Sequence, residues 1–232
     1  MDFCILPPLD KLELAKLSKH HLCLAQETDP WYWDFYKDRK LEGDHIILDN
    51  GAYEGVKDFK YLRDKIAILE PQVAVLPDFP DNPWQDTLCM SIAFLDEYYF
   101  HFRETEWMFV PQARHADIVG WCRCLEEGIK DNRISWIGLP RMLATDYTSD
   151  PFIRARIAIN LKRERPDLKL HALGMVQENG LELRELHILS ATGVVESIDS
   201  HWPFKGGESQ VVNRLEACGV NTNAGQRDHA QR

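Results

Sequence analysis

The 232 residues contain no apolar run that approaches the roughly 20 residues needed to cross a bilayer. The opening Met-Asp-Phe-Cys-Ile-Leu-Pro-Pro has neither a basic segment nor a long apolar one, so it does not read as a secretory signal. The six cysteines are scattered, and with no export signal they are expected to be reduced thiols in a cytoplasmic protein. Cys122-Arg123-Cys124 is the sole close pair. Inside an expected helix its sulfurs diverge, and no further ligands have finger-like spacing, so no metal is expected. The sequence lacks a Gly-x-Gly-x-x-Gly turn, a Gly-Lys-Ser/Thr phosphate loop and a Gly-x-Ser-x-Gly elbow. No cofactor is expected. Basic excess is missing too. The net charge is −10, and the first 110 residues carry the whole acidic surplus. That argues against nonspecific coating of nucleic acid, although the balanced second half could still build a local basic face.

What is present is ordinary globular composition, 44% hydrophobic and 28% charged, at a length that suits one large domain. Eight short apolar or β-branched runs read as strands, at residues 3–6, 21–25, 45–48, 72–76, 107–110, 136–139, 170–173 and 194–198. Segments of helical periodicity follow them, at 9–20, 30–40, 58–70, 83–102, 116–128, 150–165, 178–191 and 208–218. Asn82-Pro83 and Asp150-Pro151 look like cap-proline starts. Buried strands alternating with amphipathic helices predict a parallel sheet covered by helices. Eight units in about 200 residues predict a single closed (β/α)8 barrel rather than an open doubly wound sheet. The barrel is expected over residues 1–219, with 220–232 as a polar, frayed tail.

Chemistry in such barrels gathers at the C-terminal ends of the strands. Those positions here are polar. Asp49, Asn50, Gly51 and Tyr53 follow the third strand, and Asp78 follows the fourth. Gln112 and Arg114 follow the fifth, Gly138 and Arg141 mark the sixth, and Gly174 and Met175 end the seventh. Asp199, His201, Trp202 and Lys205 follow the eighth. Each has a plainer reading. Asp49-Asn50-Gly51 makes a good turn, Asp78 a good helix cap, and Gln112 a partner for loop backbone. Lys205-Gly206-Gly207 is either an ordinary loop or a phosphate cradle. Asp49 and Asp199 stand out because a carboxylate at the end of a buried strand is costly unless it is paired or used. Two carboxylates on one pocket are the minimum kit for glycosidic-bond chemistry.

The order of these motifs resembles the tRNA-guanine transglycosylase superfamily, whose members swap guanine for a 7-deazaguanine base in a nucleic acid. Leu-Asp-Asn-Gly-Ala-Tyr around Asp49 is similar to the family's Asp-Ser-Gly-Gly-Phe, which holds the general acid/base. Asp78 in Val-Leu-Pro-Asp-Phe is similar to its base-reading aspartate, and Gln112 in Phe-Val-Pro-Gln-Ala to its base-reading glutamine. Gly138 in Trp-Ile-Gly-Leu-Pro resembles the glycine whose backbone contacts the base. Residues 170–175 resemble the Leu-Met-Gly-Val-Gly strand, and Asp199 falls where the family has its nucleophile. The family's tRNA enzymes carry a zinc site, Cys-x-Cys-x-x-Cys with a later His. Only Cys218 stands in that region here, so the zinc subdomain is absent. Ala52 replaces the second glycine after the acid/base, and Ala113-Arg114 replaces a Gly-Gly. These departures are most like the short phage and bacterial relatives that place 7-deazaguanines such as preQ0 into DNA.

The resemblance implies that Asp199 attacks C1′ and Asp49 shuttles the proton. Asp78, Gln112, Gly138 and Asn50 would read the base, with Tyr53, Met175 or Trp202 against its ring. Arg114, Arg141, Lys205 and Arg154 would meet phosphates. The expected partners are a nucleic acid, DNA rather than tRNA, and a free deazaguanine. The alternatives are a nucleoside N-glycosidase or deoxyribosyltransferase, and a barrel that binds a deazapurine or nucleotide without turnover.

Overall fold

A computed structural model describes residues 1–56, 59–175, 180–205 and 208–220. The expected tail beyond Val220, and the Gly206-Gly207 half of the possible phosphate cradle, lie outside the described residues. Eight parallel strands close into one barrel in sequence order. They are β1 (Asp2–Ile5), β2 (His20–Leu24), β3 (His45–Asp49), β4 (Val73–Val75), β5 (Glu106–Phe109), β6 (Ile134–Pro140), β7 (Lys169–Leu173) and β8 (Ser197–Ser200). The seam closes by pairing Cys4 with Asp199 and Ile5 with Ser200. The chain is a (β/α)8 barrel.

The helices are α1 (Pro30–Leu41), α2 (Lys60–Leu69), α3 (Trp84–Tyr98), α4 (Ile118–Gly128), α5 (Ile153–Glu164), α6 (Gly180–Thr192) and α7 (Glu208–Ala217). The first unit differs from expectation. Leu9–Leu17 is a 3-10 helix broken at Lys11, and it stops short of His20, which belongs to β2. Two caps follow sequence logic. Asp29 accepts the Trp31 N–H ahead of Pro30, and Asp117 accepts the Gly120 N–H. At α3 the expected Asn82 cap fails: Pro83 itself occupies the cap position, with no side-chain bond. Asp150 does accept the Phe152 N–H, but α5 begins only at Ile153. The aromatic run of α1 buries Tyr32, Trp33, Phe35 and Tyr36 against the barrel, which explains its odd composition. Among the described residues no helix is long and apolar enough to cross a membrane.

Strand parity divides the core in two. One parity packs outward under the helices, with Phe3, Cys23, Ile46, Leu48, Ala74, Trp107, Phe109 and Ile137. The other fills the barrel with Cys4, Leu22, Ile47, Val73, Val75, Met108, Val110 and Trp136. Asp49 lies two residues beyond Ile47, so it shares the inward parity at the top of β3. The eighth strand was expected at 194–198 but runs over 197–200, so Asp199 sits inside it rather than after it.

Candidate active site at the barrel mouth

A cavity of about 320 Å³ opens at the C-terminal ends of the strands. Asp49, Asn50, Tyr53, Asp78, Gln112, Arg141 and Asp199, all singled out from sequence, line it. Leu6, Leu22, Leu24, Val75, Val110 and Leu173 form its apolar floor.

The turn after β3 serves the fold and the site together. Gly51 has φ +74°, the left-handed backbone that favours glycine, and an added Cβ would also lie 3.0 Å from Val56 Cγ2. The tight turn seats Asn50, which is buried, beneath the mouth. Its Oδ1 accepts the Ala52 N–H at 2.7 Å. Its Nδ2 donates to Leu76 O at 2.6 Å and to Asp78 Oδ1 at 2.7 Å. Gln112 Nε2 donates to the other oxygen, Asp78 Oδ2, at 2.6 Å. Asp78 is therefore no helix cap, but a buried carboxylate held from both sides by amides. Burial pushes its pKa up, the two amide bonds pull it down, and burial wins to leave it at about 6. Gln112 Oε1 is buried and has no hydrogen-bond partner among the described residues, an acceptor left over beside that carboxylate.

Asp49 has the stronger shift. Burial, then the carboxylates of Glu54, Asp78 and Asp199, push its pKa up to about 8, so it holds its proton at neutral pH. Glu54 was not anticipated from sequence; one exposed glutamate on a loop carries no distinguishing signal.

Asp199 is only 5% exposed and is fixed differently. Its Oδ1 accepts the Gly174 N–H at 2.9 Å and the His171 Nε2–H at 3.0 Å. Gly174 has φ +69°, the left-handed turn that aims this N–H. His171 Nδ1 in turn lies 2.7 Å from Ser197 Oγ. Ser, His and Asp in contact bring a hydrolase triad to mind, but Ser197 is buried and is not part of the cavity lining, so it is not placed as a nucleophile. Sequence reading passed over His171, because a histidine within an apolar strand looks like core. Its signal was parity: His171 and Ser197 pair across β7 and β8, two positions before Leu173 and Asp199.

Several expected contacts are not formed. Gly138 is not on the cavity. A Cβ there would lie 2.7 Å from Val110 and 2.8 Å from Leu173, so the glycine makes room for barrel packing. Met175 is buried away from the cavity with its sulfur against Arg154 Nη2. Arg154 is buried and paired with Glu185 at 2.5 Å, and it also donates to Leu173 O, so it cannot meet phosphate. Trp202 stacks under the Arg214 guanidinium, 4.7 Å from the ring centre, instead of facing the cavity. Arg114 and Lys205 are exposed on the loops after β5 and β8 but do not line the cavity. Among the described residues no three His, Cys, Asp or Glu side chains are grouped to hold a metal ion.

What fold and site define is a (β/α)8 barrel whose mouth holds three inward carboxylates, each in a different hydrogen-bonding state. Compared with known proteins, the sequence matches no family model and no curated protein.

Proposed function

We propose that the chain is a base-exchange transglycosylase. It would replace guanine in a nucleic acid, DNA by preference, with a 7-deazaguanine such as preQ0 through a glycosyl-aspartate intermediate. One observation carries the reading: Asp49 and Asp199 line one cavity, the first keeping its proton up to about pH 8 and the second held as a hydrogen-bond acceptor. That is the division of labour a retaining glycosyl transfer needs.

Among the described residues both donors to Asp199 meet Oδ1, which leaves Oδ2 as the attacking oxygen in this reading. It bonds to C1′ while the C1′–N9 bond breaks, and Asp49 gives its proton to the departing guanine. The incoming base then attacks C1′ through N9, the C1′–Oδ2 bond breaks, and Asp49 recovers the N9 proton. Asp78 and the open Gln112 Oε1 would take N–H donors on the purine edge, and Tyr53 at the rim would cover the ring. A cavity of about 320 Å³ lies at the small end for ligand pockets and suits one flipped nucleotide base. A cytoplasmic location belongs to the same reading.

The test is incorporation of labelled guanine into DNA and tRNA. Asp199→Ala is expected to reduce it to background. Asp49→Asn is expected to slow it by about 10²–10⁴-fold, the usual worth of a general acid/base. Wild-type rates in Asp199→Ala would overturn the reading.

The charge of the mouth favours a second reading. Among the described residues Asp49, Glu54, Asp78, Asp146 and Asp199 line the cavity with one arginine, Arg141. Such a mouth suits a free nucleoside better than a polyanion, and the same two aspartates would then serve an N-glycosidase or deoxyribosyltransferase. Retention on DNA that weakens steeply with salt supports the polymer substrate, while turnover of free guanosine or deoxyguanosine with no such retention supports the small one.

A further inference from the structure

Asp199 is the end of a short hydrogen-bonded chain that the exchange chemistry above does not use. Ser197, His171 and Asp199 are all buried, on the inward parity of β7 and β8. His171 Nε2 meets Asp199 Oδ1 at 3.0 Å, and His171 Nδ1 meets Ser197 Oγ at 2.7 Å. A carboxylate only accepts, so Nε2 carries the proton and Nδ1 accepts the serine hydroxyl. The carboxylate thus sets the tautomer, and the serine hydroxyl, free to donate or accept, answers it by donating to Nδ1 and so orients the ring. Cys4, the strand neighbour of Asp199, is fully buried beside it and gives no competing charge, since burial and the Asp199 carboxylate raise its thiol pKa well above the ordinary range.

We propose that His171, oriented by Ser197 and carrying its proton on Nε2, is the positioning residue of Asp199, and that it acts chiefly in the second half of the exchange. The proposal rests on the transglycosylase reading. The physical reason is where charge returns. When Oδ2 bonds to C1′, the carboxylate becomes an ester and Oδ1 a neutral carbonyl, so its bonds to His171 and Gly174 weaken. When the incoming base displaces the ester, the C1′–Oδ2 electron pair returns to the carboxylate and those bonds tighten. Donors on Oδ1 therefore make Asp199 a better leaving group, and they pin the rotamer that points Oδ2 at C1′. Removing the His171 donor leaves attack possible and slows release.

The experiment uses the full chain with a guanine-containing DNA oligonucleotide and labelled guanine, comparing wild type, His171→Leu, His171→Gln and Ser197→Ala. A hydrogen bond to a charged group predicts that His171→Leu exchanges about 10–100-fold more slowly, with KM changed less than about threefold. The covalent adduct trapped at steady state should rise in His171→Leu. His171→Gln, whose amide can reach Oδ1, should recover most of the rate. Nitrogen NMR of the wild type should show His171 as the Nε2–H tautomer, and Ser197→Ala, which removes only the bond that orients the ring, should keep that tautomer and slow exchange by a smaller factor. A His171→Leu variant with wild-type rate and adduct level overturns the proposal. So does an equal loss in Leu and Gln variants without adduct, which marks a merely structural role. If His171→Leu does not fold, a wild-type His171 found as the Nδ1–H tautomer overturns it, and so does Ser197→Ala with a full rate. The transglycosylase reading fails separately, when Asp199→Ala still exchanges or the wild type never does. The tautomer measurement then still decides whether His171 donates to Asp199.

Discussion

Asp44 enters β3 at the N-terminal end of the barrel with three cationic or protonatable partners around its carboxylate, whereas Asp49 leaves the same strand at the mouth among other carboxylates. Asp44 is fully buried. It meets His21 Nε2 at 2.8 Å, Arg39 Nη2 at 2.5 Å and Lys19 Nζ at 3.2 Å. Burial pushes its pKa up, but His21, Arg39 and Lys19 outweigh that and leave it below the ordinary carboxylate range. Asp49 has Glu54, Asp78 and Asp199 for electrostatic neighbours, and its pKa rises to about 8. The two ends of one strand are thus bracketed by a structural carboxylate and, in the proposed reading, a reactive one. What separates them is the supply of compensating donors, not depth of burial.

The sharpest way to break that contrast is to neutralise the structural member. Asp44→Asn leaves Arg39, 5% exposed, with only the peripheral Glu42 as counter-charge. Unfolding by denaturant should show a loss of about 3 kcal/mol, the usual cost of stranding one partner of a buried pair. Exchange per folded molecule should not change. A lowered pKa means that Asp44 stabilises the fold above its unfolded pKa and that this contribution is lost as pH falls through the folded one. The variant should therefore lack part of the wild type's acid denaturation limb. A loss of exchange out of proportion to folding would erase the distinction between the two ends.

The two ends also differed in how much could be read from residues alone. The apolar run at residues 45–48, ending in Asp-Asn-Gly, points to Asp49 directly, because an apolar run and turn chemistry are local. Asp199 stands out in the same way, as a carboxylate ending an apolar run, yet its strand begins three residues later than expected, since Ser-Ile-Asp-Ser is too polar to look buried. Asp44 raised no flag. It follows Gly43 in what reads as a loop, and its partners come from β2, α1 and the residue before β2. His21, which sits at a helix-strand junction in the sequence, is structural, bound to Asp44. Arg154 failed for the converse reason: helical spacing cannot tell an arginine aimed at solvent from one paired across to α6. Local patterns expose strands and turns; buried ion pairs between distant elements leave no period to detect.

Neutralising the reactive member should have the opposite sign. A carboxyl whose pKa is raised by folding costs stability as pH climbs from the unfolded value toward the folded one, here from 3.8 to about 8. Asp49→Asn should thus match the wild type near pH 4 and exceed it at pH 8. Since one edge of Asp49 still meets the open mouth, the full shift is discounted, and a gain of about 2 kcal/mol is expected. Denaturant melts at the two pH values measure it. A variant less stable than wild type at pH 8 would mean that Asp49 has a compensating partner after all, and the contrast with Asp44 would collapse. Stability gained where activity is lost is the signature of a site held in an unfavourable state for use.

The smallest effect concerns what holds the Asp49 proton. Burial comes first among the causes, and Glu54 is the largest carboxylate contribution. Glu54 is exposed, so water and salt weaken its reach. Glu54→Gln should lower the alkaline limb of the exchange rate, set by Asp49 near pH 8, by only about a few tenths of a pH unit at low salt and by less in 0.5 M salt. The pH profile of kcat/KM in both salts reads this directly. A displacement of a full unit or more would make Glu54, rather than burial, the holder of the proton. The mouth would then be tuned by its loop as the base of the barrel is tuned by its ion pairs, through named charges instead of through exclusion of water.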